Sequence, residues 1–236
     1  SPHPLSRPKP LMRFPRRSAL SGRKVSVGMR KRFVQLAVIG KILEHTDNRL
    51  LSGYFFQTPG AGLLGVNYVL WSSIFGAGST YVPVEFDWEA FESLKAEKAE
   101  LAKNQRGLHL PLRVQHPRHG DLFSWVAQMG RNADFPVALV DADLCRTLPS
   151  LVDDGLCEAT DVMLSRVRSS VFFSLTYSLR GSHKEIREFA SLLLSGIVEQ
   201  KHKGVLLGEW TYRDGSPMKT VLWHVPCGGL RCKENR

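Results

Sequence analysis

The most suggestive chemistry in this chain lies between positions 60 and 65. Gly60, Gly62 and Gly65 form the pattern G-x-G-x-x-G, and Glu85 follows 20 residues after the last of them. Such a loop holds a pyrophosphate when a strand comes directly before it and a helix directly after it. The preceding residues, FFQTP, favour a turn over a buried strand because Pro59 interrupts them. A dinucleotide-binding oxidoreductase is therefore kept only as an alternative hypothesis.

Histidine and cysteine residues near the C-terminus could supply metal ligands. His224, Cys227 and Cys232 form the pattern H-x-x-C-x4-C, which could hold zinc with a fourth ligand from elsewhere. The spacing is irregular, and no second Cys/His pair completes the set. We expect no metal and keep this trio as the candidate should one bind.

Paired carboxylates are the remaining candidates for catalysis. Asp141/Asp143 and Asp153/Asp154 lie in a segment that also contains proline and glycine. Paired acids in that setting favour turns over a general acid and base. No G-x-S-x-G nucleophile elbow occurs. These patterns predict a protein that is not an enzyme and has no catalytic residues.

All of the net positive charge of the chain lies in its first 33 residues. The formal net charge is +10, yet the residues from Val34 onward contain 22 basic and 22 acidic side chains. An Arg-rich, acid-free segment is typical of a transit peptide, so we expect a mitochondrial location. As a retained arm it would contact an anionic surface, either rRNA or acidic lipid, with peripheral membrane contact in the second case. The predicted anion-binding residues are Arg7, Lys9, Arg13, Arg16, Arg17, Arg23, Lys24, Arg30, Lys31 and Arg32.

A second unusual segment runs from Leu50 to Val84 without one charged side chain. Six glycines dilute its apolar character. We expect it to be buried in the core or against a partner protein, with a membrane-inserted segment as the alternative.

The body shows a twofold pattern of strand, helix and hairpin. Residues 107–126 and 204–225 each have two apolar runs around a turn that ends in glycine, which predicts a β-hairpin in both. Strands are predicted at 80–86, where Pro83 indicates an edge or bulged strand, at 135–140 and at 171–179.

One helix precedes each predicted hairpin. Asp87 is the predicted N-cap of the first helix. Ser182 and Glu185 form a capping box for the second. The second helix carries apolar residues at helical spacing, which predicts one buried stripe. These residues are Ile186, Phe189, Ala190, Leu193 and Ile197.

With these elements the chain resembles the SOUL haem-binding family. The resemblance is clearest in FPVALVDADLCRTLPS and the residues after it, in the strand that ends in Gly-Ser before the second helix, and in TVLWHVP at 220–226. It implies an α+β fold, a pseudo-twofold mixed sheet or barrel with two main helices. It also implies haem as a possible ligand. The candidate haem ligands are His183, His202 and His109, followed by His116 and His119.

We therefore predict a non-catalytic accessory subunit of a large mitochondrial assembly, either an inner-membrane respiratory or ATP-synthase complex or the mitoribosome. No cofactor is expected. A haem or tetrapyrrole carrier is the first alternative. The predicted divisions are a basic arm or transit-peptide remnant (1–33), an uncharged-rich extension (34–74), a SOUL-like domain (75–226) and a tail (227–236).

Overall fold

The computed structural model describes residues 6–13, 29–104, 110–132, 134, 136–181 and 183–227. Eight strands form one sheet in the order β3-β2-β1-β5-β6-β8-β7, and β4 pairs with β2 beyond β3. The strands are β1 (Tyr54–Gln57), β2 (Thr80–Glu85), β3 (Arg113–Val114), β4 (Arg118–His119), β5 (Val137–Thr147), β6 (Val171–Ser178), β7 (Val205–Asp214) and β8 (Ser216–Val225). Neighbouring strands from β3 to β6 are parallel, whereas β8 runs antiparallel to both β6 and β7.

Helices cover both faces of the sheet. They are α1 (Met29–His45), α2 (Leu64–Ser72), α3 (Trp88–Asn104), α4 (Leu122–Met129), α5 (Leu148–Asp153), α6 (Leu156–Arg166) and α7 (Lys184–Ser195), and α7 continues as a π-helical turn at Gly196–Lys201. Helices α1 to α3 pack on one face and α4 to α7 on the other. The arrangement is therefore a three-layer α/β fold.

Alternation along the strands produces the two cores. Phe55 is fully buried with Tyr81 and Trp71 on the α1–α3 face, while its neighbour Phe56 is fully buried with Phe173 on the other face. A strand that is buried on both faces needs apolar residues at every position. This explains the uncharged segment from Leu50 to Val84, which supplies β1, α2 and most of β2 at the centre of the molecule. The prediction that it is buried in the core is confirmed.

The predicted SOUL-like pseudo-twofold fold is wrong. Within the predicted hairpin 107–126, the described residues 110–126 do not form one, because β3 and β4 both run parallel to β2 and the chain then enters α4. The cause is local: the Asp121 side chain accepts a hydrogen bond from Phe123 N at 3.1 Å and begins that helix. The hairpin predicted at 204–225 is confirmed as β7 and β8, joined at Gly215 with φ of +67°.

Two further local predictions have different outcomes. Pro83 does not mark an edge strand, because β2 lies between β1 and the β3/β4 pair. β3 pairs only with Thr80 and Tyr81, and β4 pairs only with Val84 and Glu85. Pro83 falls between these two pairings, so the sheet tolerates its missing N–H. The Asp87 cap is confirmed, since Ala90 N donates to Asp87 Oδ1 at 3.0 Å.

The described part of the N-terminal segment does not form a detached basic arm. Residues 6–13 lie along α4 and α6, with Met12 only 3% exposed and Leu11 N donating to Asp121 Oδ2 and Ser124 Oγ, both at 2.9 Å. Arg30, Lys31 and Arg32 belong to α1. Arg16, Arg17, Arg23 and Lys24 lie outside the described residues. No helix in the described part of the chain is long and apolar enough to cross a membrane.

Candidate cofactor site

The strand order of the sheet reverses between β1 and β5. From β1 the chain moves through α2 to β2 on one side, and β5 leads to β6 on the other. In open α/β sheets, ligands bind in the crevice outside the carboxyl ends of the strands at such a point. Here that crevice lies between the loop after Gln57 and the residues from Asp141 to Asp143.

The glycine-rich loop lies directly at this crevice. Contrary to the sequence-based expectation, a strand ends at Gln57 just before the loop and α2 begins at Leu64 just after it. Pro59 follows the strand and does not interrupt it. Gly60 and Gly62 have φ of +75° and +79°, and a Cβ placed at Gly62 would meet no atom within 4 Å. The loop therefore leaves space beside its backbone.

A carboxylate already occupies the anion position at the start of α2. Glu97 on α3 accepts from Gly62 N at 2.6 Å and from Leu64 N at 2.9 Å. The N–H groups at a helix N-terminus are where a nucleotide phosphate would bind. Because Glu97 uses two of them, a second anion there would be repelled. The site does not suit the pyrophosphate of a dinucleotide.

The floor of the crevice is a buried polar network. Gln57 Nε2 donates to Asp141 Oδ2 at 2.7 Å, and Tyr81 OH donates to Gln57 Oε1 at 2.5 Å. Asp141 is only 6% exposed, and burial raises the pKa of its carboxyl to about 6. Asp141 and Asp143, predicted to form a turn, thus lie within the central strand β5, at the level where β1 ends. Asp153 and Asp154 lie at the C-terminal end of α5.

A lysine from α1 fills the crevice. Lys31 Nζ donates to Asp143 Oδ2, and the two side chains are 14% and 11% exposed. Burial disfavours the charged ammonium, but the adjacent Asp143 charge more than offsets this and the pKa of Lys31 is raised. The cavity left around the pair is about 20 Å³, bordered by Gln35, Gln57 and Trp71. A cavity of that size accommodates about one water molecule.

Two further groups at this edge are available to a ligand. The Nε1–H of Trp71, a cavity-lining residue that is 1% exposed, has no hydrogen-bond partner. Glu85, at the end of β2, accepts from Phe86 N at 2.9 Å and Asp87 N at 3.3 Å through one oxygen. Burial raises the pKa of Glu85 to about 7 despite those bonds. An orphaned buried donor is costly, and a ligand acceptor would satisfy it.

The candidate haem ligands are scattered. His183 is the exposed N-cap residue of α7, and His202 Nε2 contacts Asp161 Oδ1 at 2.7 Å after the π-helical turn. His119 Nε2 lies 3.0 Å from Phe86 O, and His116 is exposed. His109 lies outside the described residues. None of the four described histidines lines the crevice.

The zinc candidates are only partly described. His224 is half-buried, with its ring centroid 4.5 Å from that of His45 and 4.9 Å from that of Phe172. Cys227 is disulfide-bonded, so in this form its sulfur is not a thiolate. Cys232 lies outside the described residues. Within the described ranges no group of three His, Cys, Asp or Glu side chains could hold a metal ion. The expectation that no metal binds, with this trio as the candidate should one bind, stays a prediction.

Solved structures share this fold. It is similar to that of an O-methyltransferase from Bacillus cereus in complex with S-adenosylhomocysteine (SAH), with a TM-score of 0.53, 12% identity, and coverage of 86% of this chain and 84% of that one. It is also similar to magnesium protoporphyrin IX methyltransferase from Synechocystis with bound S-adenosylmethionine (SAM), with a TM-score of 0.50, 10% identity and 85% coverage of both chains. No protein-family description and no curated protein matches the sequence.

These similarities correct the functional expectations. The fold is shared with these methyltransferases and not with SOUL proteins. The hypothesis of a haem carrier depended on the SOUL resemblance and is therefore no longer supported. The expected non-catalytic subunit without a cofactor is also overturned, because both similar proteins are enzymes solved with SAM or SAH. The alternative of a dinucleotide-binding oxidoreductase is not supported, because Glu97 occupies the position of a phosphate at the N-terminus of α2.

Proposed function

We propose that this protein is a SAM-dependent methyltransferase. The observation that carries the proposal is a glycine-rich strand-to-helix loop that faces an acid-lined crevice at the point where the strand order reverses, within a fold shared with methyltransferases. The loop alone would also suit a nucleotide with phosphates. Glu97 argues against such a ligand and leaves cofactors without phosphate groups.

The residues of the crevice suit SAM in charge and in hydrogen bonding. SAM carries a sulfonium and an ammonium, both cationic, and Asp141 and Asp143 supply carboxylates for them. Glu85 retains one carboxylate oxygen that could accept from a ribose hydroxyl, as an acid at this position does in related nucleotide sites. The orphaned Trp71 Nε1–H could donate to an acceptor of the cofactor.

When bound, SAM supplies an electrophilic methyl group that passes to a nucleophile and leaves SAH. This chain would contribute the charge around it. Asp143 would stabilise the cationic cofactor before transfer. Gln57, fixed between Tyr81 and Asp141, would hold the Asp141 carboxyl in place. Helix α1, which covers the crevice, would exclude water.

The cofactor requires α1 to move. Ligand cavities of this kind measure about 300 to 1,000 Å³, whereas the space here is about 20 Å³. The ammonium of Lys31 holds the place that a cationic cofactor would take beside Asp143. Binding of SAM would therefore displace Lys31, and the affinity would be reduced by the cost of that displacement.

Calorimetric titration with SAM and SAH tests the proposal. Lys31→Ala removes the competing cation, and we expect SAM affinity to rise about tenfold, which corresponds to about 1.4 kcal/mol. The matched control is Lys41→Ala on the same helix, where the exposed lysine pairs only with Glu44 at 2.7 Å, and its affinity should be unchanged. Absence of SAM and SAH binding by both the wild type and Lys31→Ala at about 1 mM would overturn the proposal.

The methyl acceptor and the location remain separate proposals. The net charge of +10 supports an anionic partner, either rRNA or acidic lipid, for the cations of residues 1–33 other than Lys31, which is paired with Asp143. The acid-free composition of that segment supports a mitochondrial location. Incubation with methyl-labelled SAM and separated RNA, lipid and protein fractions would show which fraction receives the label. A reporter fused to residues 1–33 would test import.

A further inference from the structure

Helix α7 turns much of its apolar surface outward. The sequence predicts one buried stripe, but only Ala190 of its members is fully buried, and three of the others are strongly exposed. The exposed fractions are 50% for Ile186, 63% for Phe189, 71% for Leu192 and 41% for Leu193. We name these four residues the α7 ridge. A contiguous apolar ridge of this kind is typical of a protein–protein interface.

The sheet ends at β7, next to β8, whose Val221 shares a core cluster with Ala190 and Leu194 of α7. In the described part of the chain β7 pairs only with β8, so its outer backbone groups face no strand. Near its start, Val205 and Leu206 are 53% and 44% exposed. An edge strand flanked by apolar side chains is a template for pairing with another strand.

One face of β7 points to the same side as α7. Glu209 lies opposite Val221 of β8, and Val221 belongs to the core cluster that contains Ala190 and Leu194 of α7. Thr211 and Arg213 follow Glu209 at the two-residue spacing of one strand face. The three side chains therefore project on the α7 side of the sheet.

The charges on this face of β7 are complementary to the charges on the same face of a second copy of the chain. If two β7 strands pair antiparallel around a twofold axis at Thr211, Glu209 of one copy lies opposite Arg213 of the other, and Arg213 lies opposite Glu209. Opposite residues of an antiparallel pair share one face of the sheet, so both ion pairs form on the α7 side of the sheet. Both residues are exposed here, although Glu209 also contacts Lys219 at 2.9 Å.

We propose that this protein forms a twofold homodimer through antiparallel β7–β7 pairing centred on Thr211, with the α7 ridges of the two copies flanking the seam. Each copy presents the same surface, as a closed twofold interface requires. The proposal is independent of the cofactor site.

Sedimentation equilibrium of the full chain tests the dimer. The expected mass is twice the 26.5 kDa of one chain. Phe189→Glu should weaken dimerisation at least about tenfold, since it places a charge in the apolar contact. The matched control is Val69→Glu on α2, where a 58% exposed valine lies on the opposite face, and dimerisation should be unchanged.

Charge reversal distinguishes a second copy from any other partner. Glu209→Arg and Arg213→Glu should each weaken the dimer, because each places like charges opposite one another. The double variant restores opposite charges across the axis and should dimerise better than either single variant. A monomer at all concentrations, or a dimer indifferent to both Phe189→Glu and the charge reversals, would overturn the proposal.

Discussion

Individual residues at the carboxyl edge of the sheet hold charges in unfavourable surroundings. Burial raises the pKa of Glu85 to about 7 and that of Asp141 to about 6. A carboxyl whose pKa is higher in the folded state binds its proton more tightly there. Stability is therefore lost as the pH rises from the unfolded pKa of about 4 through the folded value.

Glu85→Gln isolates one of these contributions. At pH 8 the wild type carries a buried carboxylate that the variant lacks, and the raised pKa corresponds to at most about 4 kcal/mol. We expect the variant to be more stable than the wild type at pH 8 and to lose that advantage near pH 4. Urea unfolding at both pH values would measure this, and an equal difference at both would contradict it.

The sequence shows the residue types of this site better than their arrangement. Gly60, Gly62, Gly65 and Glu85 are recognisable from their spacing. Lys31 is not, because it is 112 positions from Asp143 and stands among nine other cations of an apparently uniform segment. Only the packing of α1 onto the crevice distinguishes it.

At the scale of elements, the start of α4 depends on one side chain. Asp121 is 1% exposed and accepts hydrogen bonds from Phe123 N, from Ser124 Oγ at 2.5 Å and from Leu11 N. It therefore both caps the helix and holds the N-terminal segment. The sequence-based expectation of a hairpin failed at this point because a turn with Gly120 also suits the residue before a capped helix.

Asp121→Ala should destabilise the fold by about 2 to 3 kcal/mol, because it removes a cap and leaves buried N–H groups unsatisfied. Asp87→Ala, which removes the more exposed cap of α3, should cost only about 1 kcal/mol. Thermal or urea unfolding would compare the two. Equal losses would mean that the additional bonds of Asp121 contribute nothing.

Across the whole molecule, residues 6–13 join the core through Met12 and Leu11. Met12 is 3% exposed and belongs to the same cluster as Trp125, Met163 and Phe173. The sequence could not indicate this, since a methionine among prolines and arginines has no periodic neighbours. Contacts more than a hundred positions apart fix it.

Met12→Ala should cost about 2 to 4 kcal/mol of unfolding free energy through the cavity it leaves. Met29→Ala, at a methionine that is 74% exposed, should be close to neutral. Chemical denaturation of both variants would check this. A neutral Met12→Ala would indicate that residues 6–13 detach from α4 and α6 in solution.

At the opposite edge of the sheet, Pro83 interrupts the pairing of β2 with its outer neighbours. It separates two dipeptide strands, β3 and β4, which leave no long run of backbone on that side for another chain to join. The β7 edge is thus suited to pairing with a strand of another chain, whereas the β3/β4 edge is not. The proposed association through β7 would end with two copies, so it would not extend into an open-ended fibre.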